Sequence, residues 1–464
     1  MFAFLRPTRA FLLSYVIGLL VLPVEVATRD GFVGSIVFTQ SLRIDKLTAC
    51  HVGVLIGSII FAPHVYKRLR FMWVDALFAV VAVGLFATSM TTGLGPKDGL
   101  SVAMESVRRF LPLLVFTRLF ITSAGEMYEA MRVIVGAGVV YAVPCLLEWR
   151  LSPQLHRLIY GYFPHSFSQF ARYGFFRPLV FMDHAIEVSG FMGMAAALAC
   201  WLQFKGLLKR PLWDFLPGWG CIAAIVLGLI TTMTFSGIGE FALAIGVFAL
   251  FHYTRSRWVL WLLPAAAIVW MGGRYFNVLD ASGLLRLTSS VDAARSDSLE
   301  YRLRSERDHL DAVRSHVLFG AGAQQGNVGE GDRMAVDEWW MIQLCYYGVV
   351  SLAGWYMIWC AAIWKSFRHW KRLTPDLQTL AAATAILLGM QFIDFLFNSF
   401  PSMFLLILDV GMVVAIGNYL PTRARRVGVR VARPEAYAPM PSGVAMTDPM
   451  MAPGGVGAER AATS

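Results

Sequence analysis

Residues 179 to 204 read LVFMDHAIEVSGFMGMAAALACWLQF. From Val188 to Phe204 the run carries no charge, and the three ionisable side chains Asp183, His184 and Glu187 crowd into one turn near its start. A hydrocarbon core of roughly 30 Å needs about 20 mostly apolar residues per helix, so this stretch predicts a membrane span with a polar mouth. Similar runs predict further spans at 10 to 28, 47 to 65, 71 to 92, 103 to 122, 133 to 149, 214 to 235, 237 to 254, 258 to 272, 337 to 364, 376 to 398 and 402 to 420. The expected fold class is therefore all-α, a polytopic membrane protein of about twelve spans over residues 1 to 420. Composition agrees. Hydrophobic residues make up 57% of the 464 and charged ones 15%, against roughly 45–50% and 25% in soluble domains. That excludes a soluble enzyme, a disordered scaffold and a disulfide-stapled secreted domain. The six cysteines are scattered without CxxC spacing, so reduced structural thiols are expected and no metal site.

Charge sets the expected orientation. The first span follows Arg6 and Arg9 and lacks a small-residue cleavage signature, which reads as an anchor. Alternation then puts Lys67, Arg68 and Arg70, Arg132, Lys205, Lys209 and Arg210, Arg255 and Arg257, and Lys365 to Arg372 on the side of the N-terminus. Positive charge marks the cytoplasmic side, so both termini are expected there. The tail, 421 to 464, opens with Arg423, Arg425, Arg426, Arg430 and Arg433 and runs into Pro, Gly, Ala and Met, the composition of a disordered basic end. The net charge of +10 is thus a topology signal, and nucleic acid is not an expected partner.

Two longer external loops interrupt the spans, 150 to 178 and 273 to 336. The second holds eight basic and nine acidic residues and is close to neutral. From 299 to 318 it repeats apolar residues at Leu299, Leu303, Leu310, Val313 and Val317, a helical stripe that leaves Arg304, Arg307, Asp311 and Arg314 on the other side. Those arginines suit a phosphate clamp. They suit equally a surface helix laced by the pairs Glu300 with Arg304 and Arg307 with Asp311. Leu318 to Gly322, sequence LFGAG, reads as a helix stop followed by a flexible turn. Next, Asp337 and Glu338 stand beside Trp339 and Trp340 at the mouth of a span. Acids at a helix start and indoles at an interface are ordinary, but a carboxylate there also suits a general base, and an indole a sugar ring. Inside the spans, Arg118 suits snorkelling to the interface. Asp394 is a further acid inside a span, and Glu240 and Asp409 keep a proton-coupled transporter in view.

Several of these motifs together resemble the bacterial O-antigen ligase and polysaccharide polymerase superfamily. Arg302 stands eighteen residues before Gly320, Gly322 follows, and Asp337 opens a helix that continues QLCYYGVV from Gln343. Upstream, RYGFFRP at 172 to 178 is similar to that family's Arg-x-x-Gly-x-Phe segment, and Thr234-Phe235-Ser236 to its Thr-x-Ser-Arg element. Gly237 stands where the family has the Arg, and Asp337 where it has a His. The resemblance implies an inner-membrane glycosyltransferase that takes a glycan from an undecaprenyl-diphosphate donor at the periplasmic face, either polymerising repeat units or ligating a finished glycan onto a lipid or protein. It implies as partners the donor, an acceptor glycan, membrane lipid and other polysaccharide assembly proteins, with no cofactor. On that reading Arg172, Arg177 and Arg302 hold the diphosphate with help from Arg304 and Arg307. Asp337 is the base, with His184 or Asp183 next, and Trp339 and Trp340 face the sugar. A secondary transporter or lipid flippase using Glu240 and Asp409 is the alternative of another class.

Overall fold

The computed structural model describes residues 1–28, 31–37, 43–165, 167, 170–172, 174–208, 216–289, 293–322, 336 and 338–420. Asp337 and the tail from 421 onward lie outside the described residues.

The chain is an all-α, membrane-embedded protein. The helices are α1 (Pro7–Val21), α2 (Lys46–Phe61), α3 (Trp73–Thr91), α4 (Pro96–Phe120), α5 (Ala124–Leu151), α6 (Leu155–Tyr160), α7 (Ala185–Phe204), α8 (Gly218–Thr231), α9 (Phe235–Thr254), α10 (Leu262–Tyr275), α11 (Ser282–Ser289), α12 (Ala293–Val313), α13 (Trp339–Trp359), α14 (Ala361–His369), α15 (Pro375–Asp394) and α16 (Met403–Tyr419). Each of the twelve expected segments contains an α-helix, and the one from 337 to 364 holds α13 together with the start of α14. Among the described residues six helices, α3, α5, α7, α9, α13 and α15, are long and apolar enough to cross a membrane. Four more, α1, α2, α8 and α16, are apolar but shorter. The shortening has a chemical cause in two of them. Leu22 and Ala62 each precede a proline, which pushes them out of the helical region and ends α1 and α2 well before the expected 28 and 65. The 25-residue α4 is long enough, but Glu105, Arg108, Arg109 and Arg118 make it amphipathic.

Helices α7 and α15 form the centre, each with 78% of its apolar stretch buried, whereas α9 at 28% leaves most of its surface facing outward. Outward apolar side chains such as Ile56, Ile59 and Ile60 on α2 suit a lipid surround. Three two-stranded antiparallel hairpins decorate the connections: β1 (Val26–Thr28) with β2 (Gly31–Val33), β3 (Ile36–Val37) with β4 (Arg43–Ile44), and β5 (Ala171–Arg172) with β6 (Phe175–Phe176).

Hydrogen bonds tie the helix ends into two sets. At one end Lys46 meets Asp183, Arg177 meets Thr234, Arg302 donates to the Phe397 carbonyl, and the Trp339 amide donates to the Asn398 carbonyl. At the other Arg118 pairs with Asp75 at 2.5 Å, Asn418 donates to the Thr122 carbonyl, and Lys365 to the Val413 carbonyl. Arg118 therefore does not snorkel. It is nearly buried and paired, because Asp75 caps the start of α3 directly beside it.

The LFGAG turn is no flexible connector. Inside α13 Gly348 has φ 77° and ψ 175°, which interrupts the helix. The segment from Val317 to Gly322 seals the gap: the Val349 amide donates to the Val317 carbonyl (2.8 Å), Val350 to Leu318 (3.3 Å), Ala321 to Cys345 (2.8 Å) and Gly322 to Tyr346 (3.2 Å). Thr88 of α3 donates to the Phe319 carbonyl at 2.6 Å. The two segments approach so closely that a Cβ on Gly320 would strike the peptide between Tyr346 and Tyr347, and one on Gly348 the Leu318 carbonyl. α12 is fixed as well, since Leu303, Leu310 and Val313 of the predicted stripe are buried and Glu306 accepts from Arg274 of α10 at 2.5 Å.

Glu148, near the end of α5, is 1% exposed and accepts from the amides of Leu155, Leu179 and Val180 at 2.7 to 2.9 Å. It thereby pins the first long loop at both ends. Glu148→Ala would leave three buried donors unpaired, at about 1–3 kcal/mol for each that water does not reach. A clear fall in the thermal unfolding midpoint of the detergent-solubilised protein is expected, and an unchanged midpoint would show that the carboxylate is dispensable.

Candidate functional site

The end of the bundle where α7, α13 and α16 begin gathers residues from distant parts of the sequence. The backbone held by Glu148 leads directly to Arg177, which is 5% exposed and donates to the Thr234 hydroxyl at 2.9 Å. Two separate motifs of the sequence thus meet in one contact. From α12, Arg302 reaches the α15–α16 corner and donates to the Phe397 carbonyl at 2.6 Å.

His184, within reach of both charges, is the N-cap of α7. Its Nδ1 accepts from the Ile186 amide at 3.1 Å, and its ring stacks on Phe400 (5.4 Å, 9°) and meets His165 edge-on at 4.9 Å. Burial, with the charges of Arg177, His165 and Arg302 adding to it, pulls its pKa from 6.5 down to about 3. The ring is therefore neutral at ordinary pH. With Nδ1 accepting, its proton resides on Nε2. His184 is built as a hydrogen-bond donor, and the expected role as a base does not fit this tautomer. Asp183 turns the other way: its carboxylate accepts from Lys46 at 2.8 Å while its amide donates to Glu187 at 2.9 Å.

The remaining expected site residues are more dispersed. Arg172 lies on β5 opposite Phe175. Arg304 is exposed and pairs with Glu300 at 3.3 Å, the surface-helix outcome. Arg307 is also exposed, and Asp311 pairs with Arg314 (3.4 Å) where Arg307 was expected. Trp340 is 1% exposed, so a sugar has no access to its ring. Trp339 stacks on Phe395 at 4.1 Å with only its remaining surface toward the cavity described below. Both indoles were expected at a membrane interface. They are instead packed inside the bundle, because the corner from Phe395 to Asn398 binds the start of α13 through the Trp339 and Trp340 amides.

The intramembrane acids divide. Asp409 is fully buried and accepts from the Ala362 amide at 2.8 Å, a structural cap for α14. The Glu240 and Asp394 carboxyl groups are in hydrogen-bonding contact, with Gln391 and Asn398 also donating to Asp394. They line a small cavity of about 60 Å³ together with Glu187.

Beside this cluster lies a cavity of about 840 Å³. Glu187, Phe400 and Met403 belong to the walls of both cavities. The large one is lined on α4 by Ser101, Glu105 and Arg109, on α2 by Asp45's neighbour Lys46, and on α13 by Trp339, Gln343 and Tyr347. Arg108 braces its wall, donating to Glu105 at 2.6 Å and Asp45 at 3.2 Å. Asp45 is also the N-cap of α2. Burial works against its charge, but the bonds from Thr48 and Arg108 outweigh burial and hold its pKa below the usual value. The α4 residues escape a sequence reading that counts 103 to 122 as one more span. The signal was present in Glu105, Arg108 and Arg109, three charges inside an apolar run.

Among the described residues no three His, Cys, Asp or Glu side chains are grouped to hold a metal ion. Compared with known proteins, the chain matches no family model and no curated protein.

Proposed function

We propose that this chain is a membrane glycosyltransferase that moves a glycan from a polyprenyl-diphosphate donor to an acceptor hydroxyl, most simply as a surface-polysaccharide polymerase. The observation that carries the reading is the convergence of the Arg177 and Arg302 charges on His184, whose chain neighbour Asp183 and stacking partner Phe400 line a cavity large enough for a substrate. In the full proposal twelve helices cross the inner membrane, both termini are cytoplasmic and the cavity opens to the periplasm. The shorter helices cross with local thinning of the bilayer.

In the transfer, the acceptor oxygen bonds to the sugar's anomeric carbon, the bond from that carbon to the diphosphate oxygen breaks, and the diphosphate leaves with the electron pair. Fixed guanidinium groups stabilise that leaving charge. Arg177 and Arg302 supply them, and the His184 Nε2–H is a third donor. The acceptor's proton passes to a carboxylate. Asp337 is the expected one, and Glu187, facing both cavities, is the candidate the geometry adds. Ligation onto a lipid or protein would use the same donor chemistry.

The contact between Glu240 and Asp394 favours a second reading, a proton-coupled transporter or flippase. A deletion strain complemented with variants separates the two. If the chain is the transferase, Arg177→Ala fails to restore long surface polysaccharide although the protein reaches the membrane, and Glu240→Gln restores it. The reverse pattern would establish the transporter. A deletion strain that kept full-length polysaccharide would end the glycan reading.

A further inference from the structure

The large cavity differs in chemistry from the arginine cluster beside it. Its acids are Glu25, Asp45, Glu105, Asp183 and Glu187, and its bases Arg43, Lys46 and Arg109. Adding Arg108 behind the wall makes five acids against four bases among the described residues. Most are already paired: Arg43 with Glu25 at 3.1 Å, Lys46 with Asp183 at 2.8 Å, and Arg108 with Asp45 and Glu105. An anion placed here would meet no positive excess and would have to break pairs already made. An alkyl chain fits no better, since it would bury ionised groups against hydrocarbon.

A neutral polyhydroxylated ligand meets neither objection. Along α4 Ser101, Glu105 and Arg109 stand four residues apart and so share one face, and along the first half of α13 so do Trp339, Gln343 and Tyr347. Planar carboxylate, amide and guanidinium groups exchange hydrogen bonds with adjacent hydroxyls in pairs. Aromatic rings offer apolar faces to the C–H side of a sugar ring. The volume, near the upper end of the roughly 300–1,000 Å³ range of small-molecule sites, holds more than one sugar ring.

We propose that this cavity binds an uncharged oligosaccharide, and that Glu105, Asp183 and Glu187 make it reject sugars bearing carboxylates. The inference rests on the glycan-transfer reading in taking the cavity as the place where the glycan sits, while the diphosphate sits at Arg177 and Arg302.

Binding can be measured without turnover. Trp339, Trp355 and Trp359 line the cavity, so tryptophan fluorescence of the full chain in lipid nanodiscs reports on its contents. The probes are maltotriose, cellotriose, laminaritriose and triacetylchitotriose, against trigalacturonic acid and inorganic diphosphate. We expect saturable binding of at least one neutral trisaccharide, about tenfold or more tighter than trigalacturonic acid. Ser101→Phe and, independently, Val102→Phe fill the cavity and should abolish the signal without lowering the unfolding midpoint. Arg177→Ala should leave it intact, and Glu105→Gln should narrow the preference against the acidic sugar. The inference is overturned if no neutral trisaccharide binds, or if trigalacturonic acid or diphosphate binds more tightly in a manner lost on filling the cavity. Loss of polysaccharide in the deletion strain without any sugar binding would sink this site and leave the transferase. Sugar binding by a chain whose deletion spares the polysaccharide would do the opposite.

Discussion

Arg302→Ala is expected to lower glycan transfer by about 10²–10³-fold, the usual cost of removing one donor aimed at developing charge. Arg304→Ala and Arg307→Ala, two and five residues further along the same helix, are expected to stay near wild type. The three arginines share α12 and differ in where its faces point. Arg302 is half-buried and anchored on the Phe397 carbonyl, within electrostatic reach of His184, whereas Arg304 and Arg307 face outward. An exposed pair such as Arg304 with Glu300 contributes at most about 1 kcal/mol. Transfer would be followed as the length distribution of polymer made by membranes supplied with lipid-linked repeat units, with protein amounts matched. Because Arg302 also ties α12 to the α15–α16 corner, Arg302→Lys is the control. It keeps a charge and one donor but loses the planar fork, so it should hold the unfolding midpoint while recovering only part of the rate. Equal losses at all three arginines would mean that the charge of α12 acts as a whole, and the assignment of Arg302 to the leaving group would fail.

Gly348→Val is expected to be the most damaging single change to the fold. The backbone at Gly348 lies where only glycine is at ease, and any Cβ there meets the Leu318 carbonyl. The conformation alone costs a side chain about 1–3 kcal/mol, and the clash adds a similar amount. Little protein should survive solubilisation as a monodisperse species on size-exclusion chromatography. Gly246→Ala is the contrast. It lies within α9 with open space where its Cβ would go, so alanine should be neutral or slightly stabilising. A well-behaved Gly348→Val protein would mean that the break in α13 is not required.

Much of the fold was legible in the sequence because apolar runs are a strong, local signal. All twelve expected segments contain a helix, and the stripe from Leu303 to Val313 is buried as its spacing requires. Less legible were the helix ends at Pro23 and Pro63, where a local rule was present and outweighed by continuing hydrophobicity. The site was legible only in part. Arg177 and Arg302 stand out as arginines beside expected helix starts, but the tautomer of His184 depends on an amide two residues on and its pKa on burial by other helices. Trp339 and Trp340 were ambiguous in principle, since an indole serves an interface and a core equally well. The α4 stripe was hidden by the span it interrupts, and the close approach of Gly320 to Tyr346 and of Gly348 to Leu318 is a long-range contact that neither glycine signals alone.

The broken helix also bears on how α13 is completed. A transmembrane helix ordinarily completes its backbone hydrogen bonds by itself as it enters the bilayer. α13 cannot, because the carbonyls of Cys345 and Tyr346 and the amides of Val349 and Val350 find their partners only in the segment from Val317 to Gly322. That segment is itself docked on Thr88 of α3, so three separate stretches of chain meet before the backbone of α13 is fully paired. α13 is thus incomplete as an isolated helix: without the segment from Val317 to Gly322 it would carry unpaired peptide groups at its break.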